Sequence, residues 1–153
     1  MYYNIKENEL RQLERIEEEF LRKIFKTTRG CPITQLYLEI GQHPARFEVQ
    51  KMRLMYLKYI LEESEDSLLR RFFQLQLEEP TKGDWVSKCF TDLKELEIPE
   101  TLEEIKNMPK IKFHNILKSR IRINALKYLK GKQKSKGVAI TRFCNGNISV
   151  AIK

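Results

Sequence analysis

Apolar residues recur at intervals of three and four positions along most of the chain, which is the period of an amphipathic α-helix. The first such stretch predicts a helix over 5–25. Its apolar side should face a core, and its charged side, with Glu14, Glu17 and Arg22, should face water. The apolar positions of this first helix are Leu10, Leu13, Ile16, Phe20, Ile24 and Phe25.

Capping residues and helix breakers divide the following residues into further helices. Pro32 and Gly41 bracket a short helix, because proline suits a first helical turn and glycine suits a left-handed C-cap. Ser67 and Asp84 are placed to cap a fourth and a fifth helix. The capping box at 101–104 opens a sixth helix.

Three of these helices contribute to the expected core. The third helix, predicted over 45–63, is apolar around most of its circumference, so we expect it to be the central helix. Trp85 of the fifth helix is expected in the core rather than as a platform for nucleic-acid bases. In the fourth helix the residues expected to face inward are Leu68, Leu69, Phe72, Phe73 and Leu75.

The last helix is predicted over 110–130 and is followed by a basic linker, 131–137. In the divergent tail, 138–153, apolar residues flank Asn145–Gly146, which is the signal of a small β-hairpin. We therefore predict an all-α fold, an irregular bundle of about five to seven helices in one domain, 1–130, with a C-terminal hairpin. The apolar stripe of the last helix consists of Phe113, Ile116, Leu117, Ile121, Ala125, Leu126 and Leu129.

Charge is distributed very unevenly along the 153 residues. Residues 1–104 hold 16 Lys and Arg and all 21 Asp and Glu, a net charge of −5, whereas residues 105–153 hold 13 Lys and Arg and no acid. A polyanion is the physical counterpart of such a segment, because every neutralised phosphate releases a counterion. The alternative is a basic helix that only faces solvent.

Ten cations of the last helix and the linker form the candidate binding site. Because Lys112, Arg120 and Lys127 are seven or eight positions apart, we expect them on one helical face, with Lys118 and Arg122 on a neighbouring face. Both faces are predicted to meet an RNA or DNA backbone from one side, without reading its sequence. The ten are Lys110, Lys112, Lys118, Arg120, Arg122, Lys127, Lys130, Lys132, Lys134 and Lys136.

The residue types needed for catalysis or for metal binding are not clustered in the sequence. Polymerase chemistry needs adjacent aspartates that hold two metal ions, but Asp66, Asp84 and Asp92 are scattered. Cys31 and His43 are twelve positions apart and neither has a second ligand nearby, as a zinc site would require. We therefore expect a non-enzymatic chain without a metal ion or a cofactor.

Three cysteines at distant positions do not indicate a disulfide framework, so each is expected to be a small apolar filler. The N-terminus has no apolar signal core, and no apolar run approaches the roughly 20 residues that span a membrane. These features predict an intracellular protein, cytoplasmic or nuclear, with no membrane partner.

Six segments follow one another in an order typical of a known family, namely 13–24, 31–41, 44–47, 53–61, 84–86 and 92–93. In these segments the chain resembles the region downstream of the reverse-transcriptase core in non-LTR retrotransposons of animals, and the resemblance covers about residues 2–136. Residues 137–153 depart from the family pattern, which indicates a truncated or rearranged copy.

The resemblance implies a helical connector that helps to hold template RNA or target DNA, with the reverse-transcriptase core of a parent element as a partner. Two alternatives remain open at this point. The chain could be a protein-interaction or scaffolding module, which would expose a large apolar patch. It could also be a degenerate fragment without activity.

Overall fold

The structure is a computed structural model that describes residues 5–28, 30–81, 83–98 and 101–135. These residues form seven helices and no strand, so the prediction of an all-α multi-helix fold is confirmed. The predicted hairpin lies outside the described residues. The helices are α1 (Glu7–Ile24), α2 (Ile33–Ile40), α3 (Ala45–Glu62), α4 (Leu68–Glu78), α5 (Trp85–Glu95), α6 (Leu102–Asn107) and α7 (Lys110–Ser135).

Local capping sets the helix boundaries where the sequence predicts them. The Ser67 hydroxyl accepts a hydrogen bond from the Arg70 N–H at the start of α4. Asp84 caps α5 through the Ser87 N–H, and this hydrogen bond is the main reason why the pKa of Asp84 falls to about 2. Gly41 ends α2 with φ 67°, a left-handed conformation that favours glycine.

Helix α7 is longer than predicted. It continues through Gly131 to Ser135, so the described part of the expected linker is helical. A single glycine costs a helix about 1 kcal/mol relative to alanine. The neighbouring Lys and Gln residues are good helix formers, which is consistent with continuation of the helix.

The described residues divide into two compact units, each assembled from distant parts of the sequence. Unit 1 consists of Ile5 and residues 47–124, and unit 2 consists of residues 6–46 and 125–135. The sequence periodicity predicts one helical domain, 1–130. It does not reveal a division of this kind, because α3 and α7 each supply residues to both units.

The core of unit 1 is built around α3, as predicted, and it also contains buried charged residues. Arg53 donates a hydrogen bond of 2.5 Å to Asp92, and both side chains are buried. Lys58, of which 1% is exposed, donates to the carbonyl oxygens of Ile105 and Met108, so it closes the C-terminal end of α6. Each of these buried charges has a partner, as burial requires.

In unit 2 the predicted orientation of α1 is wrong. Helix α1 has no buried residue, and its apolar side chains Leu13, Ile16, Phe20 and Ile24 are 39–66% exposed. The carboxylates of Glu14 and Glu17, predicted to face water, are instead hydrogen-bonded to α2 and α3 residues. These long-range polar contacts, rather than the apolar stripe, fix which side of α1 is packed.

The inward orientation predicted for α4 is also wrong in part. Phe73 is buried, whereas Leu68, Phe72 and Leu75 are 59–74% exposed. The ring of Phe73 packs edge-on against Trp85 of α5, with the ring centroids 6.3 Å apart. One side of α4 therefore contributes to the core of unit 1, and its other apolar side faces solvent.

Candidate nucleic-acid interface

Helix α7 contains no acidic residue and has one continuous buried stripe. The stripe repeats every four positions, at Phe113, Leu117, Ile121, Ala125 and Leu129, each at most 3% exposed. Because an α-helix turns by about 100° per residue, four residues overshoot a full turn by about 40°. The stripe therefore winds around the helix, and the positions on each side of it wind with it.

The winding of the stripe separates the cations of the unit 1 part of α7 into two rows. Lys118 and Arg122 each follow a buried residue by one position, so they lie on one flank of the stripe. Lys112 and Arg120 each precede a buried residue, so they lie on the opposite flank. The prediction that these four cations occupy neighbouring faces is therefore wrong, because residues two positions apart, such as Lys118 and Arg120, point about 160° away from each other on an α-helix.

The flank of Lys118 and Arg122 is the open one. Both side chains are exposed, and among the residues that the structure describes neither has a carboxylate partner. Lys110, near the start of α7, is also exposed. Ammonium and guanidinium groups in this situation keep their hydrogen-bond donors available to an external anion.

The opposite flank is partly neutralised by the chain itself. Arg120 lies 3.6 Å from the carboxylate of Glu97 and is only about one-third exposed. The Asn124 amide donates a hydrogen bond of 3.1 Å to the Arg120 carbonyl oxygen. Arg120 is therefore a weaker candidate for phosphate contact than its position in the sequence suggests, whereas Lys112 on the same flank is exposed.

In the unit 2 part of α7, Lys127, Lys130 and Lys132 are exposed. Two cations lie beside the aromatic ring of Tyr128. The Lys132 ammonium lies 4.6 Å from the centroid of the Tyr128 ring, and the Arg46 guanidinium lies 5.0 Å from it. Cation–π contacts at these distances hold both cations beside the ring. The side chain of Lys134 and the whole of Lys136 lie outside the part that the structure describes.

A cavity of about 300 Å³ in unit 2 has a lining of mixed charge. Lys132 and Arg22 contribute cations to it, and Glu14 and Glu18 contribute carboxylates. Arg22 is already engaged there, because it donates to the carbonyl oxygens of Thr28 and Cys31. The cavity therefore lacks the excess of positive charge that would favour an anionic ligand.

The aspartates each have a structural role in the described fold. Asp66 pairs with Arg71 at the surface, Asp84 caps α5, and Asp92 is buried against Arg53. No group of three His, Cys, Asp or Glu side chains among the described residues could hold a metal ion.

The cysteines differ from one another. Cys89 is unpaired and buried, and burial raises the pKa of its thiol, as expected of an apolar filler. Cys31 is disulfide-bonded, so the interpretation of every cysteine as a small apolar filler is wrong for Cys31.

Two residues that the sequence pattern does not identify as part of the site contact its cations. Glu97 shields Arg120, and Tyr128 holds Arg46 and Lys132. The backbone of Glu97 has φ 53°, and the residue sits just beyond α5. No local sequence signal pairs it with a cation 23 positions later.

Comparison of the chain with protein-family models, with curated proteins and with solved structures finds no match. A search of the described helices for membrane spans finds none that is long and apolar enough to cross a bilayer.

Proposed function

We propose that the chain is a non-catalytic helical segment of a retrotransposon reverse-transcriptase protein that binds the RNA or DNA backbone through α7. The observation that carries this proposal is the open flank of Lys118 and Arg122. It belongs to a helix that lacks any acidic residue and is anchored by its own buried stripe. A rigid helix presents its cations at fixed spacing, so less side-chain and backbone freedom is lost on binding.

The chemistry of the open flank suits phosphate groups. Lys118 and Arg122 are four positions apart, which places their backbones about 6 Å apart along the helix axis. The guanidinium of Arg122 can donate two parallel hydrogen bonds to one phosphate, and the ammonium of Lys118 acts as a compact point charge. Contacts of this type position a nucleic acid without selecting a sequence.

Other cations of α7 extend the basic surface, and they contribute unequally to phosphate binding. Lys110 and Lys112 are exposed, as are Lys127, Lys130 and Lys132 in the part of the helix that belongs to unit 2. Arg120 contributes least among those of unit 1, because Glu97 competes with phosphate for its guanidinium. Binding of this kind is electrostatic, so its affinity falls steeply with added salt.

The retrotransposon origin rests on the resemblance in sequence, and it is consistent with an all-helical fold. A reverse-transcriptase core of the parent element would be the natural protein partner. An upstream reading frame that encodes a Tyr-x-Asp-Asp turn would support this origin, and a neighbouring genomic sequence unrelated to any polymerase would contradict it.

The binding proposal is tested with matched double variants. We expect K118Q/R122Q to weaken binding of a fluorescent single-stranded RNA about tenfold at low salt, as measured by anisotropy, because about 1.4 kcal/mol is lost with two phosphate contacts. The control R71Q/K94Q removes the same charge from exposed positions of α4 and α5. It should change the affinity less than twofold on the same scale.

Two outcomes would contradict the proposal. Equal losses in both double variants would mean that only the net charge matters and that α7 is not the site. No measurable RNA or DNA binding by the unaltered chain at low salt would remove nucleic-acid binding altogether. Circular dichroism of each variant should show unchanged helicity, since all four substituted side chains are exposed.

A further inference from the structure

In the unit 1 part of α7, the side of the helix that faces away from the core is uncharged. Asn115, Ser119 and Ile123 each lie midway between two residues of the buried stripe. Because two positions turn an α-helix by about 200°, these side chains point almost directly away from the stripe. Ile111 lies two positions before the stripe begins and continues the same line. This line, the outer ridge, consists of Ile111, Asn115, Ser119 and Ile123.

Every residue of the outer ridge is exposed. Its two isoleucines are 77% and 43% exposed. Within the described part of the chain, neither the Asn115 amide nor the Ser119 hydroxyl has a hydrogen-bond partner. The Asn124 amide on the opposite flank, by contrast, already donates to the Arg120 carbonyl oxygen at 3.1 Å. The outer ridge therefore offers two apolar side chains and two unused polar groups to a ligand.

Cations border the outer ridge on both sides. Lys118 and Arg122 lie on the open flank. Lys112 lies on the opposite flank, where Glu97 partly neutralises Arg120. In a nucleic-acid duplex the phosphates line the two edges of each groove and the bases form its floor. A neutral ridge between two cationic flanks is therefore complementary to a groove.

The dimensions of α7 match the major groove of duplex DNA. An α-helix with its side chains is about 10–12 Å in diameter, and the major groove of B-form DNA is about 12 Å wide. From position 111 to position 123 the outer ridge extends about 18 Å, which corresponds to about five base pairs. The major groove of A-form RNA is too deep and narrow for side chains to reach its bases. The geometry thus favours duplex DNA over duplex RNA.

The chemistry of the outer ridge suits A·T base pairs. The Asn115 amide can donate to N7 of an adenine and accept from its N6 amino group, and both atoms lie in the major groove. The isoleucine side chains can contact the C5-methyl group of thymine, and the Ser119 hydroxyl can bond to any base. Guanine and cytosine are usually recognised by Arg, Lys or a carboxylate, and the outer ridge contains none of these.

We infer that α7 enters the major groove of duplex DNA and that its outer ridge selects A·T base pairs there, with Asn115 on an adenine. This inference rests on the proposed phosphate contacts of the open flank and adds base contacts to them. The phosphate contacts position the helix, whereas the base contacts select the sequence. Lys112 contacts the second phosphate backbone, since Glu97 competes with phosphate for Arg120.

The test compares two short duplexes of equal length, one of alternating A·T pairs and one of alternating G·C pairs, by anisotropy with the full chain. We expect the A·T duplex to bind about tenfold more tightly at the same salt concentration. Asn115→Ala should reduce this preference to about threefold or less and leave the salt dependence unchanged, because no charge is removed. Asn124→Ala is the matched control and should keep the full preference, since its amide is bonded within α7.

A base analogue separates major-groove recognition from a response to DNA shape. Replacing adenine by 7-deazaadenine removes the N7 acceptor and leaves the minor groove unchanged. The analogue should weaken binding of the unaltered chain about threefold and should not affect binding of Asn115→Ala.

Three results would overturn the inference while leaving phosphate binding in place. They are equal affinity for the A·T and G·C duplexes, no effect of the analogue, and tighter binding of the separated single strands than of the duplex. If the unaltered chain binds neither duplex and no RNA at low salt, the proposed function itself is contradicted, and the inference with it.

Discussion

Helices α1 and α7 are both amphipathic, but they place opposite sides toward the protein interior. Helix α7 buries its apolar stripe and exposes its cations, whereas α1 exposes its apolar stripe and uses carboxylates for packing. The difference shows that apolar periodicity establishes a helix and its two sides but does not establish which side is covered. Specific polar partners can determine the orientation when they satisfy every buried charge.

The largest expected difference between the helices comes from one substitution made in each. Ile121→Ala in α7 should lower the free energy of unfolding by about 2–5 kcal/mol, because Ile121 is 2% exposed and a cavity remains. Ile16→Ala in α1 should change it by less than about 0.5 kcal/mol, because Ile16 is 66% exposed. Urea unfolding measures both, and equal losses would mean that the α1 stripe is covered.

The next effect concerns the packed side of α1. Glu14→Ala should cost about 1–3 kcal/mol, since it removes two hydrogen bonds from a half-buried Arg46 and leaves that guanidinium with only the carboxylate of Glu7, 3.6 Å away. The control Glu19→Ala, at an exposed position of the same helix, should be neutral within about 0.5 kcal/mol. If both variants unfold alike, the carboxylates do not orient α1.

A smaller effect should appear at alkaline pH. Burial and the hydrogen bond to Glu17 raise the pKa of Tyr37 above its ordinary value of 10, so the folded state holds this proton more tightly than the unfolded state. Stability from this group is therefore complete below pH 10 and declines above it, by at most about 1.4 kcal/mol per pH unit. Tyr37→Phe should remove this part of the decline in urea unfolding between pH 9 and pH 11. An unchanged decline would mean that Tyr37 is already solvated.

The smallest effect separates the two flanks of α7. Arg120→Gln should reduce RNA affinity less than about twofold, because Glu97 already occupies its guanidinium. Arg122→Gln should reduce it about threefold, because Arg122 is exposed on the open flank. Anisotropy titrations at one salt concentration compare the two variants, and the reverse order would exclude the open flank as the primary contact.

Much of the secondary structure could be predicted because it depends on neighbouring residues. The caps Ser67, Asp84 and Gly41 act within one helical turn, so the sequence places these helix ends correctly. The orientation of α1 could not be predicted in the same way. It depends on pairs such as Glu17 with Tyr37 and Glu14 with Arg46, which are 20 and 32 positions apart.

The candidate site was predictable in composition but not in geometry. The absence of acidic residues from α7 can be read directly from the sequence, and the structure exposes Lys118 and Arg122 as expected. The separation of the cations into two flanks follows from their own helical spacing, and the structure adds which side of α7 is buried between the flanks. The neutralisation of Arg120 depends on Glu97, a residue outside the helix.

The salt dependence of RNA binding tests the proposed role of α7 most directly. Each phosphate contact on single-stranded RNA contributes about −0.7 to the slope of log affinity against log salt. For K118Q/R122Q we predict a slope shallower by about 1.4, and for R71Q/K94Q a slope equal to that of the unaltered chain. Identical slopes for all three proteins would contradict the assignment of phosphate contacts to the open flank of α7.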